Sequence, residues 1–274
     1  MLMPRYGQID TDYARTLATT APHEDGPVWM INLMRYRDRA EYDDGRTNAL
    51  SGREANDAYA DQIPLAAIGA TPVFVADVED QLLGAEPKWD RVAVVRYPTR
   101  ASFISMQQRD DFQRAHEHKD AAMAETIVVG GQPLPLPEIA GAVEWSDVPH
   151  PPNDADGAYT MIHVIRFHDE ARAATTPEHM QAYEEVAGSV AVPQGIRVDG
   201  WFAAEGTIVG DGRVWHQVRF NTFPSRRAFM AVALDPERLK AQAEHRATAI
   251  ADTYSIGVRA SINEITASIE SERE

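Results

Sequence analysis

The 274-residue sequence contains no cysteine. Disulfide bridges, thiolate catalysis and cysteine-ligated zinc or iron–sulfur sites are therefore excluded. No stretch approaches the roughly 18 consecutive apolar residues that a membrane-spanning helix requires, and residues 1–8 lack the apolar segment of a signal peptide. These absences predict a cytoplasmic protein that has no membrane partner.

Basic residues are also scarce. The chain carries 26 Lys and Arg against 42 Asp and Glu, which gives a formal net charge of -16 and a pI of about 4.9. An acidic surface repels phosphate groups, so nucleic acids and anionic membranes are unfavourable partners. Solubility alone also explains such a charge. The length suits one large domain or two of ordinary size.

One strand-like segment occurs twice in the chain. Residues 26–38 read Gly-Pro-Val-Trp-Met-Ile-Asn-Leu-Met-Arg-Tyr-Arg-Asp, and residues 157–169 read Gly-Ala-Tyr-Thr-Met-Ile-His-Val-Ile-Arg-Phe-His-Asp. The two segments align without a gap, and Asn32 of the first copy is matched by His163 of the second. Such a repeat predicts a tandem duplication in which the polar residue of one strand has changed.

The match extends well beyond this strand. Residues 69–106 align with residues 195–232 without a gap. After a slip of one residue, the Glu-His-Lys of 117–119 matches the Glu-His-Arg of 244–246. Matching over this length is evidence about the fold before it is evidence about function.

Each copy has the pattern β-α-β-β-α-β, which is typical of a ferredoxin-like unit. We predict an N-terminal extension over residues 1–25, a first domain over 26–130, a proline-rich linker over 131–156 and a second domain over 157–268. A sheet with helices on one face must bury its other face. The expected fold is therefore α+β, with two ferredoxin-like domains forming an intramolecular, pseudo-dimeric α/β barrel. Such a chain can act as a monomer or as a homodimer.

Two local signals fix helix ends. A helix is expected over residues 52–67, with a kink or break near Ile63 because Pro64 follows. Pro98 ends the strand that precedes it, and Thr99 is a suitable N-cap for the next helix.

Several segments of the first copy resemble the dimeric α/β-barrel superfamily. They are Val-Trp-Met-Ile-Asn-Leu-Met-Arg-Tyr, Gly-Arg-Glu-Ala at 52–55, the run from Trp89 to Phe103, and His118-Lys119. Within the superfamily they resemble a bacterial family of short domains of unknown function. The second copy, over 157–265, resembles it more loosely, because it lacks Gly-Arg-Glu-Ala and carries His163. The superfamily includes cofactor-free monooxygenases, haem enzymes, lactone isomerases and dehydratases. The resemblance therefore implies a barrel and a pocket rather than one reaction.

Alternation along the strands sorts side chains onto two faces. On the strand near residue 220, Arg219 and Asn221 share one face, whereas Val218 and Phe220 share the other. We expect the apolar set to lie under the helices and the polar set to point into the barrel. One site made by both halves would then contain the polar residues of the second copy, namely His163, Trp201, Glu205, Arg219 and Asn221.

The predicted catalytic residues are His163, Arg219 and Glu205. A histidine near neutral pKa beside an arginine can move a proton and stabilise an oxyanion, and Glu205 could orient the histidine or act as the base. Structural interpretations stand beside these: His163 as a hydrogen-bonded core histidine, and Arg219 paired with Glu205 or Glu79. The predicted substrate-binding residues are Asn32, Tyr36, Asn221, Trp201, Tyr97, Met30 and Met34.

The function predicted from these residues is that of a cofactor-independent enzyme that binds no metal. It would be an isomerase or a dehydratase-like lyase, using acid–base chemistry on a small hydrophobic, oxygenated organic compound in the barrel cavity. One alternative is a non-catalytic, ligand-binding or structural pseudo-dimer. Another is a haem- or oxygen-dependent oxidoreductase.

Overall fold

The computed structural model describes residues 4–47, 49–137, 141–168 and 173–272. Asp169, which ends the second copy of the repeated segment, lies outside these ranges. Among the helices in these ranges, none combines the length and apolar character needed to cross a membrane.

After a short N-terminal segment, the first half has the predicted order of strands and helices. Its strands are β1 (Gln8–Ile9), β2 (Val28–Tyr36), β3 (Thr71–Leu83), β4 (Arg91–Tyr97) and β5 (Met123–Pro133). Its helices are α1 (Thr11–Thr19), α2 (Gly52–Gln62), α3 (Arg100–Gln107) and α4 (Asp110–Ala122), with a 3₁₀ turn over Ala66–Ile68.

The second half follows the same plan. Its strands are β6 (Tyr159–Phe167), β7 (Arg197–Gly210), β8 (Gln217–Phe223) and β9 (Ile250–Asn263). Its helices are α5 (Glu178–Ala191), α6 (Arg226–Ala233), α7 (Pro236–Ala241), α8 (Ala247–Ala249) and α9 (Ile265–Glu270). A 3₁₀ turn at Val192–Gln194 follows α5, and a π-helical turn at Gln242–Arg246 joins α7 to α8.

The strands form one antiparallel sheet that closes on itself. Their order is β1-β7-β5-β2-β4-β3-β9-β6-β8, and β7 also pairs with β8. Closure is achieved because the 14-residue β7 is long enough to pair with β8 along its first part and with β5 along its second. The halves join along β3–β9 and β5–β7. The prediction of two ferredoxin-like units in an intramolecular α/β barrel is confirmed.

The interior of the barrel is filled by apolar side chains. Every barrel strand contributes to this core, and α9 adds Ile265 and Ile269. Val218 and Phe220 belong to it, whereas Arg219 and Asn221 face outward toward the helices. The expected orientation of the two faces is therefore wrong. A space enclosed by two sheet faces is shielded from water, so polar side chains there would lose their hydration without gaining partners.

Local signals in the sequence set the ends of two helices as predicted. Ser51 and Glu54 form a capping box at the start of α2, and Ile63 leaves the helical conformation immediately before Pro64. The Thr99 side chain caps α3. A Cβ atom on Gly52 would lie 2.4 Å from the backbone oxygen of Arg37. The Gly-Arg-Glu-Ala segment thus has a structural explanation in close backbone approach and helix capping.

The two halves also share a carboxylate that holds a helix N-terminus. Asp25 accepts hydrogen bonds from the first backbone N–H groups of α3, at 2.9 and 3.1 Å. Asp156 does the same for α6, again at 2.9 and 3.1 Å. These bonds satisfy amides that have no partner within the helix. Asp25 thereby ties the segment before β2 to α3, and Asp156 ties the segment before β6 to α6.

Close packing at Gly257 gives a test of the barrel. A Cβ atom at this position would lie 1.6 Å from the hydroxyl of Tyr159, which is fully buried and donates to Asp80 at 3.0 Å. Because the ring is held at both ends, we expect Gly257→Ala to lower the free energy of unfolding by about 1–3 kcal/mol. Urea denaturation measures this. Gly157→Ala is the control, since nothing lies within 4 Å of its added methyl group; equal stability of the two variants would contradict the packing.

Candidate functional site

Two cavities lie between the outer face of the sheet and the helices, one in each half. The second-half cavity has a volume of about 1010 Å³ and the first-half cavity about 310 Å³. The strand registers place them at equivalent positions. His163 lies opposite Arg219 and Ser255 in the second half, and Asn32 lies opposite Ala93 and Val128 in the first. The same face of the sheet is therefore polar in one half and largely apolar in the other.

The second-half cavity combines an apolar wall with a group of charged and polar side chains. Strands β6, β7, β8 and β9 form its floor, and α5, α6 and the turn Gln242–Arg246 cover it. Its apolar lining includes Met161, Ile165, Phe223, Phe229 and Val232. Its polar lining includes His163, Tyr183, Glu184, Trp201, Arg219, Asn221, Arg238, Arg246 and Ser255.

His163 lies at the centre of this floor. Its Nδ1 is 3.0 Å from the Ser255 hydroxyl oxygen. Burial lowers the pKa of His163 well below its usual value, and the positive charges of Arg246, Arg219 and Arg238 lower it further. The expectation of a pKa near neutral is therefore wrong, and the imidazole is neutral at pH 7.

Arg219 is held rigidly beside it and is only 2% exposed. Its guanidinium forms a salt bridge with Glu184 of α5 and donates through Nε to Gln217 Oε1 at 2.9 Å. Its Cζ lies 4.1 Å from the centre of the Trp201 ring, and the Trp201 indole donates to Asn221 Oδ1 at 3.1 Å. Arg219, Trp201 and Asn221 therefore form one connected group, as alternation along the strands predicts. The partner of Arg219 is Glu184, not Glu205 or Glu79.

Two further arginines reach the cavity from the helical side. Arg246 is 6% exposed, and its Nη2 is buried without a hydrogen-bond partner among the described residues. Arg238 donates to the Tyr183 hydroxyl at 3.1 Å. The acidic side chains that line the cavity with these three arginines are the half-buried Glu184, which pairs with Arg219, and the exposed Glu185. The interior of the cavity thus carries an excess of positive charge, which favours an anionic group on a ligand.

Glu205 lies apart from this site. Its carboxylate forms a salt bridge with Arg100 of α3 and accepts a hydrogen bond from the Tyr13 hydroxyl at 3.1 Å. It does not line the cavity that contains His163. The role predicted for Glu205 as the base or the orienting group of His163 is therefore wrong. Its contacts link the second half to the first, which is a structural role.

The predicted residues of the first half line their own cavity. Met30, Asn32, Met34 and Tyr97 are all in the first-half lining, so the expectation of one site made by both halves is wrong. Tyr36 is outside that lining, and its hydroxyl accepts a hydrogen bond from Asn56 at 3.1 Å. The physical reason is the filled barrel core, which separates the outward faces of the two half-sheets.

Sequence reasoning missed the residues that the helices supply. Glu184, Arg238 and Tyr183 carry no pattern in the sequence that marks them as site residues. Arg246 does: it is matched with Lys119 in the repeat, and both line the cavity of their own half. The matched positions of these two cations in the repeat, and not those of the histidines that precede them, indicated which helical residues line the cavities.

No protein-family model matches the chain, and no curated protein matches it. Solved structures do match. A protein of unknown function from Rhodopseudomonas palustris is 26% identical, covers 48% of this chain and 98% of its own, and has a TM-score of 0.41. An anthrone oxidase-like protein is 12% identical, covers 86% of this chain and 92% of its own, and has a TM-score of 0.50. The fold is that of a dimeric α/β barrel.

A mutant chlorite dismutase from Candidatus Nitrospira defluvii also matches, at 11% identity, with 90% of this chain and 96% of its own covered and a TM-score of 0.48. At these identities, similarity concerns the fold and not the chemistry. The barrel fold that the resemblance implies is confirmed. The reaction has to be argued from the cavity itself.

Proposed function

We propose that the protein is an enzyme that removes a proton from a hydrophobic, weakly acidic organic compound bound in the second-half cavity. His163 is the base, and the buried arginines stabilise the anion that forms. One observation carries the proposal: the imidazole of His163 and the partnerless, buried guanidinium N–H of Arg246 line the same cavity.

The proton transfer uses the two nitrogens of His163 differently. His163 Nδ1 lies 3.0 Å from the Ser255 hydroxyl oxygen; in the tautomer in which Nδ1–H donates to Ser255, Nε2 carries the lone pair that takes the proton. A C–H or O–H bond of the substrate breaks, an N–H bond forms, and the electron pair stays on the substrate as an enolate or phenolate. Arg246 Nη2 donates to the developing oxyanion, in a site where such a bond is stronger than in water.

The arginines also determine the fate of the proton. Burial lowers the pKa of His163 most, and the arginines lower it further by destabilising the imidazolium, so the protonated histidine is a strong acid that gives its proton back readily. Return to a different atom of the anion gives isomerisation, and delivery to a leaving group gives elimination. This favours the isomerase or lyase chemistry over a reaction that stores the proton on the enzyme.

The shape of the cavity indicates the substrate class. Its volume of about 1010 Å³ is at the upper end of the roughly 300–1,000 Å³ range of ligand pockets. Its apolar wall suits a body of several rings, and Trp201 offers a face for stacking. The positive charge requires an oxygen that can become anionic, such as a ketone flanked by acidic C–H bonds or a phenol.

Deuterium exchange tests the proposal without knowledge of the final product. In D₂O, the protein is expected to catalyse exchange at the acidic carbon of anthrone, measured by NMR. The rate should stay level as the pH falls through 6.5, because the neutral base is the active form and burial and the arginines lower its pKa. A rate that falls with a midpoint near 6.5 would contradict the role of His163.

The same assay separates the alternatives. Ligand binding without exchange would support a non-catalytic pseudo-dimer. Oxygen consumption coupled to exchange would keep the proton abstraction and direct the anion to an oxidoreductase reaction. A Soret band in the purified protein would contradict cofactor-independent chemistry.

We infer that the two halves arose by tandem duplication, with units at about residues 26–130 and 157–268. The ungapped match of the segments around Asn32 and His163 supports this. So do the shared element order and the equivalent helix caps of Asp25 and Asp156. Both seams of the barrel are formed within one chain, so the site is complete in a monomer.

A further inference from the structure

We propose that the first-half cavity is a second ligand site, which binds a small hydrophobic monoanion, a carboxylate or a phenolate, through Lys119. This site is separate from the cavity of His163, and the proposal does not depend on the function proposed for that cavity.

Lys119 is the cation of this cavity that has no strong partner. Its Nζ contacts Asn32 Oδ1 at 3.5 Å, and the amide of Asn32 is held in that orientation because its Nδ2 donates to the Met30 carbonyl at 2.9 Å. The Nζ also lies 5.4 Å from the centre of the Tyr59 ring and 5.9 Å from that of Tyr6. An amide oxygen and two aromatic faces favour an ammonium group but leave two of its donors unused.

The carboxylate that acts on the neighbouring Tyr6 and His116 is Asp120, which is already bound to Arg5 at 2.9 Å. Within the described part of the chain, Lys119 forms no salt bridge, whereas Arg91, the other strong cation in the lining, is paired with Asp57 and Asp77. A charge that is withdrawn from water without a counter-ion is unfavourable. The anionic group of a ligand would supply that counter-ion.

The neighbouring titratable groups do not compete for this role. Burial lowers the pKa of His116 to about 4, so it is neutral at pH 7. Burial raises the pKa values of Tyr6, Tyr59 and Tyr97, which stay protonated. Burial lowers the pKa of Lys119 to about 8. Among these groups and Arg91, Lys119 is therefore the one whose charge changes between pH 7 and pH 9.

The size and lining of the cavity limit the rest of the ligand. The volume is about 310 Å³, and a cavity of about 150 Å³ already accommodates benzene. The wall is apolar, formed by side chains that include Met30, Met34, Ile63, Phe103, Phe112 and Val128. One substituted ring or a short aliphatic chain with a single anionic group fits this combination, and a larger ligand of several rings does not.

Calorimetric titration with benzoate, compared with uncharged benzyl alcohol, tests the proposal. Benzoate is expected to bind the wild-type protein at pH 7. Lys119→Met, which keeps the length of the side chain and removes its charge, should weaken benzoate about 10- to 100-fold and leave benzyl alcohol unchanged. Lys240→Met, which removes the charge of an exposed lysine outside both cavities, should leave benzoate binding unchanged.

A pH series on the wild-type protein gives an independent readout that needs no variant. Below pH 8 the affinity for benzoate should be level, and above pH 8 it should fall about tenfold per pH unit as Lys119 loses its proton. Benzoate affinity that survives Lys119→Met, that is lost equally in Lys240→Met, or that does not change between pH 7 and pH 9.5 would overturn the proposal.

Discussion

Replacing His163 with glutamine is expected to lower kcat/KM for proton abstraction about 10²- to 10⁴-fold and to leave the fold intact. The glutamine amide can still hydrogen-bond to Ser255, which lies 3.0 Å from His163 Nδ1, but it has no nitrogen lone pair that accepts a proton. The variant therefore keeps the packing of the cavity floor and loses the base. Steady-state deuterium exchange and far-UV circular dichroism measure the two properties separately.

Two matched variants sharpen this result. Ser255→Ala removes the hydrogen bond that orients the ring but keeps the base, so a smaller loss is expected than for His163→Gln. His23→Gln changes a surface histidine and should have no effect on exchange. If His163→Gln retains kcat/KM within about threefold of the wild type, His163 is a core histidine and the proposed base is wrong.

The same variant should change how stability depends on pH. The pKa of His163 is lower in the folded protein than its ordinary value of 6.5, so the unfolded chain binds the proton more tightly. The contribution of neutral His163 to stability is complete above pH 6.5 and is lost as the pH falls below it. His163→Gln should therefore lose less free energy of unfolding than the wild type between pH 6.5 and pH 5, as urea denaturation would show.

The fold was predictable because the sequence repeats itself in register. The ungapped match that sets Asn32 against His163 also fixes their strand partners, and the structure places Ala93 and Arg219 opposite them as that match requires. Alternation along each strand then groups Arg219 with Asn221 on one face. These inferences depend only on the period of a strand, which sequence determines directly.

Which face points inward was not predictable from alternation. Both faces of the second half-sheet carry apolar residues, since Met161 and Ile165 lie under the helices and Ile162 and Val164 fill the barrel. Alternation divides the side chains of each strand into two sets. It does not show which set will face the other half-sheet inside the barrel. The barrel core excludes polar groups because it has no room for water, whereas helices can stand away from the sheet and leave a cavity.

The contribution of the helices was the least predictable part of the site. Glu184 is one of two adjacent glutamates on α5, and nothing in its sequence context separates it from the exposed Glu185. The choice is made by the rotation of the helix against the sheet, a tertiary property. Arg246 is different, because its match with Lys119 was visible in the repeat. A position that carries a lysine in one copy and an arginine in the other therefore helps to identify residues that line the cavities.

Removing the carboxylate partner of Arg219 should be strongly destabilising. Glu184→Gln leaves a guanidinium that is 2% exposed with only neutral partners, and an unpaired buried charge costs about 3 kcal/mol. Glu185→Gln, at the adjacent exposed position, should change the free energy of unfolding by less than about 0.5 kcal/mol. Urea denaturation of the two variants measures the difference, and equal stability would show that Arg219 does not depend on Glu184.

A double variant separates the structural role of this pair from its role in the reaction. Replacing both charges, in Glu184→Leu with Arg219→Met, removes the unpaired group and should restore most of the stability, since apolar replacement of a whole buried pair is often close to neutral. If Arg219 stabilises the substrate anion, the restored protein will fold and still exchange protons slowly. If exchange recovers together with stability, the pair only supports Trp201 and the cavity floor, and Arg246 remains as the group that binds the oxyanion.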